Sequence, residues 1–268
     1  MQENIAKIIE YIKLNLDKNV DISSIKYFTD GVSGSTVFCL NDKYLVKTMD
    51  KLELKAQVTF LSIYTNIDEF AKLLYTNEFL GFAVFEFVDG VLFKYKSNVK
   101  IVETLYSIVS RYSLFSYDYY GYLYEDEKSW YEFLKDETTN EIDILQSDNL
   151  SNDKLKDALL FIKNEKTPKY LLHGDFGAHN FMIDKNNSLK VIDPMPVVGD
   201  RLYDFYFAIF SSIEIFKDLS IDYILSFFDE DINHKRNILI VALYIRMIRA
   251  YKYNRDDFDI YYDWFKKI

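Results

Sequence analysis

The sequence predicts an α+β chain in two lobes. An N-terminal antiparallel sheet lobe takes residues 1–88, and a larger, mainly helical lobe takes residues 89–268. Two observations carry that expectation. Short runs rich in β-branched and aromatic residues, broken by turn residues, crowd the first third. Apolar residues at three- and four-residue spacing dominate the rest.

The elements follow in order. Ile5, Ile8, Ile9, Ile12 and Leu16 lie on one helical face, so residues 1–18 predict an amphipathic helix. Ile25–Phe28, Thr36–Leu40 and Tyr44–Thr48 read as strands, with Gly31 and Gly34 in one connection and Asn41-Asp42 as a tight hairpin. Residues 51–64 return to helical character. Phe79–Val88 is strand-like and stops at Asp89-Gly90. Beyond it, helices are predicted over Val99–Tyr112, Trp130–Glu137, Asn152–Lys163, Tyr203–Phe216 and Ile238–Tyr253. Tyr170–Pro194 is the exception in this half: short apolar runs around a polar loop, with Asn186-Asn187 as a turn.

Composition excludes several classes. The net charge of −10 argues against nucleic acid as a partner, because binding it requires Lys and Arg against phosphates. The lone Cys39 has no disulfide partner in the chain and reads as a core residue, and no Cys/His spacing suits zinc. Apolar runs such as Ile238–Ile245 fall short of the roughly 18 residues of a membrane span. Glu3, Lys7 and Glu10 interrupt any signal-peptide core, so a cytoplasmic location is expected. An acidic protein attracts cationic small molecules.

The chemistry concentrates in Leu172-His173-Gly174-Asp175-Phe176-Gly177-Ala178-His179-Asn180, followed by Leu189-Lys190-Val191-Ile192-Asp193-Pro194. An Asp, an Asn five residues on and a second Asp after an apolar strand supply what phosphoryl transfer needs. One carboxylate orients an attacking hydroxyl and takes its proton. The amide oxygen and the second carboxylate hold Mg²⁺ against nucleotide phosphates.

His-Gly-Asp-x-x-x-x-Asn, Ile-Asp-Pro and then Gly199-Asp200-x-x-x-Asp204 together resemble the aminoglycoside phosphotransferase family, closely over residues 171–208 and in outline over the whole chain. That family has a protein-kinase-like fold and includes choline-kinase-like enzymes. The resemblance implies Asp175 as catalytic base and Asn180 and Asp193 as Mg²⁺ ligands. It also implies His173 as an orderer of the loop, and Asp200 and Asp204 as carboxylates that brace it.

It further implies a nucleotide site, for ATP or GTP, in the first third. Gly31, Ser33, Gly34 and Ser35 would approach the phosphates with backbone N–H groups. Lys47, ending the run Tyr44-Leu45-Val46-Lys47, would pair with the α/β-phosphates. The acidic partner of Lys47 is either Glu53 or, as a neutral substitute, Gln57, where the family pattern places Glu. Glu86, Phe87 and Val88 would form the hinge that meets the adenine edge.

The expected activity is transfer of a γ-phosphoryl group to a hydroxyl of a small, cationic acceptor, with an aminoglycoside first. A metabolic kinase on choline, a sugar or another amino alcohol is the alternative, and a nucleotide-binding pseudokinase is a third reading, resting on Gln57. His179 reads as loop packing. His234 and the acidic runs Glu125-Asp126-Glu127 and Asp229-Glu230-Asp231 read as solvated.

Overall fold

A computed structural model describes residues 2–20, 24–28, 36–94, 99–125, 127–139 and 152–268. The glycine-rich turn with Gly31, Ser33, Gly34 and Ser35 lies outside the described residues, as does Asp126. The chain folds as two compact units. One joins Met1–Leu92 with Phe181–Met195; the other joins Phe93–Asn180 with Pro196–Ile268. The lobes read from the sequence are continuous, whereas these units exchange a fifteen-residue segment, Phe181–Met195.

In the first unit, five antiparallel strands run in the order Lys26–Phe28, Val37–Leu40, Tyr44–Thr48, Phe82–Glu86, Leu73–Asn77. Asn41 and Asp42, at φ 55° and 50°, close the first predicted hairpin. This double positive φ matches the twist of the strands it joins. Strand period two then sorts the side chains. Phe38, Leu40, Tyr44, Val46, Phe82 and Val84 pack against Ile5, Ile8, Ile9 and Ile12 of the helix Gln2–Asn15. Lys47, next to Val46 on the central strand, points to the opposite face. The helix Lys51–Ile63 follows at once, its start fixed by Asp50, whose side chain accepts from the N–H of Leu52 and Glu53.

The segment 181–195 brings two more strands, Phe181–Asp184 and Leu189–Val191; Phe181–Asp184 is the central one and pairs with both Leu189–Val191 and Gly90–Leu92. The turn between them is held by the Asp184 carboxylate, which accepts from Asn186 and Ser188 N–H at 2.9 Å each. Val191 docks on the first-unit backbone: its N–H donates to Glu69 O at 2.7 Å, and its carbonyl accepts from Ala71 at 3.0 Å. This anchor fixes the position of Asp193, two residues later.

The second unit is mainly helical. Ile232–Tyr253 is its axis, buried around most of its circumference through Ile238, Leu239, Val241, Ala242, Leu243 and Tyr244. A helix apolar on all sides must be surrounded. Here Asp153–Asn164, Arg201–Ile209 and Arg255–Lys267 surround it. Its start is six residues earlier than the predicted Ile238, because Asp231 caps it by accepting from the N–H of Asn233 and His234. A small sheet of Gly121–Tyr122, Val197–Gly199 and Tyr170–Leu172 completes the unit.

The predicted helix Tyr203–Phe216 is instead two, Arg201–Ile209 and Ile213–Phe216. Ser211 and Ser212 favour local hydrogen bonds over helix continuation. The Ser211 hydroxyl donates to Ala208 O at 2.6 Å, and the break releases the carbonyls of Phe210 and Ser211. Arg246 and the Tyr261 hydroxyl bind them. Among the described residues, no helix is long and apolar enough to cross a membrane.

Candidate active site

The first unit holds a cluster around Lys47. This lysine is buried, yet its Nζ lies 2.6 Å from Asp193 Oδ1 and 3.1 Å from Glu53 Oε1. Burial alone would push the ammonium down. The charges of Asp193 and Glu53 outweigh it and hold the lysine above its ordinary value. Gln57, one helical turn after Glu53, donates to Glu53 Oε1 at 3.2 Å. Glu53 is therefore the contact to Lys47, and Gln57 steadies Glu53. Asp193 stands at φ 58°, a left-handed conformation that a short polar side chain tolerates.

Glu86, Phe87 and Val88 lie apart from this cluster. They line a cavity of about 230 Å³ together with Lys72, Asp184 and Lys190, and neither Lys47 nor Asp193 borders it. Two of their backbone donors are already used: Glu86 N–H bonds Lys72 O, and Phe87 N–H bonds Lys43 O, both at 2.9 Å. The N–H of Val88 makes no hydrogen bond among the described residues.

The second unit holds the loop from His173 to Asn180. Asp204, fully buried on the helix Arg201–Ile209, ties it down. Its carboxylate accepts from His173 N–H at 2.7 Å, from Gly174 N–H at 3.1 Å and from the Tyr112 hydroxyl at 2.9 Å. Burial pushes the Asp204 carboxyl up to about 7, against the downward pull of these donors. Gly174 takes φ 82°, which turns the chain so that two successive N–H groups face one carboxylate. Asp204→Ala should orphan these buried donors at roughly 1–3 kcal/mol each. Denaturant melts should show the loss, and Asp204→Asn should restore part of it.

Asp175 follows directly. Asn180 Nδ2 donates to its backbone carbonyl at 2.9 Å and to its Oδ2 at 3.0 Å. The amide is thus turned with its nitrogen toward Asp175, and its oxygen accepts no hydrogen bond among the described residues. His179 Nε2 lies 2.9 Å from Asp175 Oδ2. Burial would push the Asp175 carboxyl up, but the His179 hydrogen bond, with the charges of His179, His173 and Arg249, holds it down at about 2. At Gly177 an added Cβ would come within 2.8 Å of the His179 ring, so the glycine leaves room for that contact. His179, read from the sequence as loop packing, is therefore a direct neighbour of Asp175. An imidazole four residues after a loop Asp was the signal for it.

Asp200 caps the helix Arg201–Ile209, accepting from Leu202 N–H at 2.9 Å, and its other oxygen meets His234 Nε2 at 2.5 Å. His234 was expected in solvent. It is instead mostly buried, and the Asp200 hydrogen bond raises its pKa. Glu230 was likewise expected to be solvated, yet it receives Arg201 at 2.6 Å.

The family model of the APH phosphotransferase enzyme family matches residues 24–232. No protein among the curated ones matches the sequence. Several solved structures share the fold. The gentamicin complex of APH(2'')-IIa aligns at 17% identity over 98% of this chain and 96% of that chain, with a TM-score of 0.57. ADP-bound APH(2'')-Ib aligns at 18% identity over 96% of each chain, with a TM-score of 0.54. The choline kinase LicA from Streptococcus pneumoniae aligns at 17% identity over 97% of this chain and 96% of that chain, with a TM-score of 0.57. With its sheet lobe, its helical part and its matched span, this chain belongs to the APH phosphotransferase family and has the protein-kinase-like α+β fold of those enzymes.

Proposed function

We propose that this phosphotransferase is a small-molecule kinase that moves the γ-phosphoryl group of ATP or GTP to a hydroxyl, with Asp175 receiving the hydroxyl proton. The observation that carries the reading is the pairing of Asp175 with Asn180. One amide nitrogen fixes the carboxylate, and the amide oxygen is left as a hard donor.

That oxygen and the Asp193 carboxylate suit Mg²⁺, which takes oxygen ligands. In this reading Asn180 and Asp193 hold the ion, which when bound neutralises charge on the nucleotide phosphates. Lys47, fixed between Glu53 and Asp193, supplies a further positive charge to the phosphates. Val88 N–H serves the base edge. Gly31, Ser33, Gly34 and Ser35 are proposed to close over the phosphates.

Asp175 acts chiefly by position. A carboxylate held at about 2 is a weak base toward an alcohol, so it orients the hydroxyl first. It takes the proton late, once bonding to phosphorus has made that oxygen acidic. Its ionised form is complete above the ordinary aspartate value of 3.8. The sign follows: a lowered carboxylate loses its contribution only as pH falls through about 2. Turnover should therefore show no acid limb from Asp175 between pH 5 and 8. His179→Ala removes the main opposition to burial, so an acid limb should rise into the measurable range. A pH–rate profile unchanged by that substitution would remove His179 from the site.

By overall charge and by what is named for the structural neighbours, the acceptors to test first are an aminoglycoside, then choline, a sugar or another amino alcohol. The pseudokinase reading rests on Gln57, and the Lys47–Glu53 contact at 3.1 Å speaks against it. Nucleoside diphosphate release with ATP and GTP in parallel, over kanamycin, choline and simple sugars, tests the proposal. Release that depends on Mg²⁺ and on an acceptor supports it. Nucleotide binding with no acceptor-dependent release returns the weight to a non-catalytic role.

A further inference from the structure

The second unit contains a cavity of about 680 Å³ that starts at His179, the neighbour of Asp175, and runs between the broken helix and the two C-terminal helices. On the proposed reading, this cavity receives the acceptor. Its charge is the opposite of what the overall −10 suggests. Lys217, Arg246 and Arg249 line it against only Glu214 and Asp257.

The pairing of these groups decides what remains. Lys217 and Glu214 neutralise each other at 2.8 Å. Asp257 accepts from Asn254 Nδ2 at 2.6 Å, a neutral partner that leaves its negative charge in place. Arg246 is committed to the carbonyls of Phe210 and Ser211, at 3.2 and 2.8 Å. Arg249, one turn further along the same helix, makes no hydrogen bond or ion pair among the described residues and rests over the Phe207 ring at 5.1 Å. Asp175 and the half-buried Glu137 feel its charge, but neither closes an ion pair with it.

A half-buried guanidinium with a planar fork of donors and no carboxylate on it is a ready receptor for an oxyanion. A polycationic ligand in this cavity would find the carboxylate of Asp257, but it would also meet Arg246 and Arg249, on neither of which a carboxylate closes. We infer that the acceptor carries an anionic group, a carboxylate or a phosphate, bound by Arg249 with Arg246 behind it, while its hydroxyl lies toward Asp175. This rests on the assignment of the cavity to the acceptor. It replaces the cationic acceptor expected from overall charge with an anionic hydroxy compound.

Matched pairs test it: D-gluconate against D-glucitol, and glycerol 3-phosphate against glycerol, with kanamycin and choline as cations. Binding is measured by calorimetry without nucleotide, so it stands apart from phosphoryl transfer, and nucleotide binding is measured separately. At least one charged member should bind about ten- to a hundredfold more tightly than its neutral partner. The pair that responds distinguishes carboxylate from phosphate. Arg249→Gln should abolish the preference, and Arg249→Lys should restore part of it, with thermal melts confirming that both variants fold. No preference in either pair, or tighter binding of kanamycin or choline, overturns the inference. So does an Arg249→Gln effect on kcat shared by every acceptor with KM unmoved, which would place Arg249 on the transferring phosphate. Failure of ATP and GTP to bind would count against the kinase reading alone.

Discussion

Asp175→Asn is expected to lower turnover by about 10²–10⁴-fold, the range that a positioned acid–base group contributes, while nucleotide affinity changes little. The substitution keeps the shape of the side chain and its oxygen for Asn180 Nδ2, but it removes the negative charge that faces His179 at 2.9 Å. An amide can still touch the acceptor hydroxyl. It cannot receive a proton at neutral pH. Because the loop is anchored through Asp204 to the backbone of His173 and Gly174, the variant should fold as the wild type does. Stopped activity with an unchanged melting curve and unchanged nucleotide binding is the pattern that marks a chemical role. Wild-type turnover would remove Asp175 as the proton acceptor.

Asp193→Ala should act on the other half of the reaction. It should weaken Mg²⁺-dependent nucleotide binding by roughly two orders of magnitude, in line with the several kcal/mol that metal charge stabilisation carries. Two losses combine. The proposed oxygen ligand of the ion disappears, and Lys47 loses its 2.6 Å partner while Glu53 stays at 3.1 Å. The lysine is then opposed by burial with one carboxylate fewer, and its raised pKa should fall. Calorimetry with ATP and GTP, with and without Mg²⁺, reads the effect. Binding that keeps its full Mg²⁺ dependence in the variant would exclude Asp193 as a ligand of the ion.

The contrast between these two variants follows from chain order. Asp175 and Asn180 belong to the second unit, whereas Asp193 belongs to the first, carried there by the strands Phe181–Asp184 and Leu189–Val191. The motif spacing was legible in the sequence because loop and strand stay close along the chain. The exchange of the segment between units was not, since it depends on Val191 pairing with Glu69 and Ala71, far earlier in the chain.

Other differences have similarly local causes. Tyr44–Thr48 was legible to the residue, because alternation and the Asn41-Asp42 turn agreed. The strand Leu73–Asn77 went unread: its burial is only partial along its length, and its register shifts between Leu73 and Tyr75. The helix Arg255–Lys267 was also unread, although Phe258, Tyr261, Trp264 and Phe265 repeat at helical spacing; its dense charges masked the apolar face. The choice between Glu53 and Gln57 turned on a cap. Asp50 starts the helix where Glu53 falls in its first turn, and that placed the carboxylate on Lys47. Arg249 carried no sequence signal, because an arginine within an apolar helix reads the same whether or not a carboxylate meets it.

The fate of the γ-phosphoryl group tests the proposed transfer most directly. ATP or GTP labelled at that position is incubated with Mg²⁺, the enzyme and the acceptor panel, and the organic product is separated from free phosphate. Label is expected in an acceptor hydroxyl, in step with nucleoside diphosphate released, and is expected to be lost in Asp175→Asn with nucleotide still bound. Label found only in free phosphate, or transfer that Asp175→Asn leaves intact, would contradict that expectation.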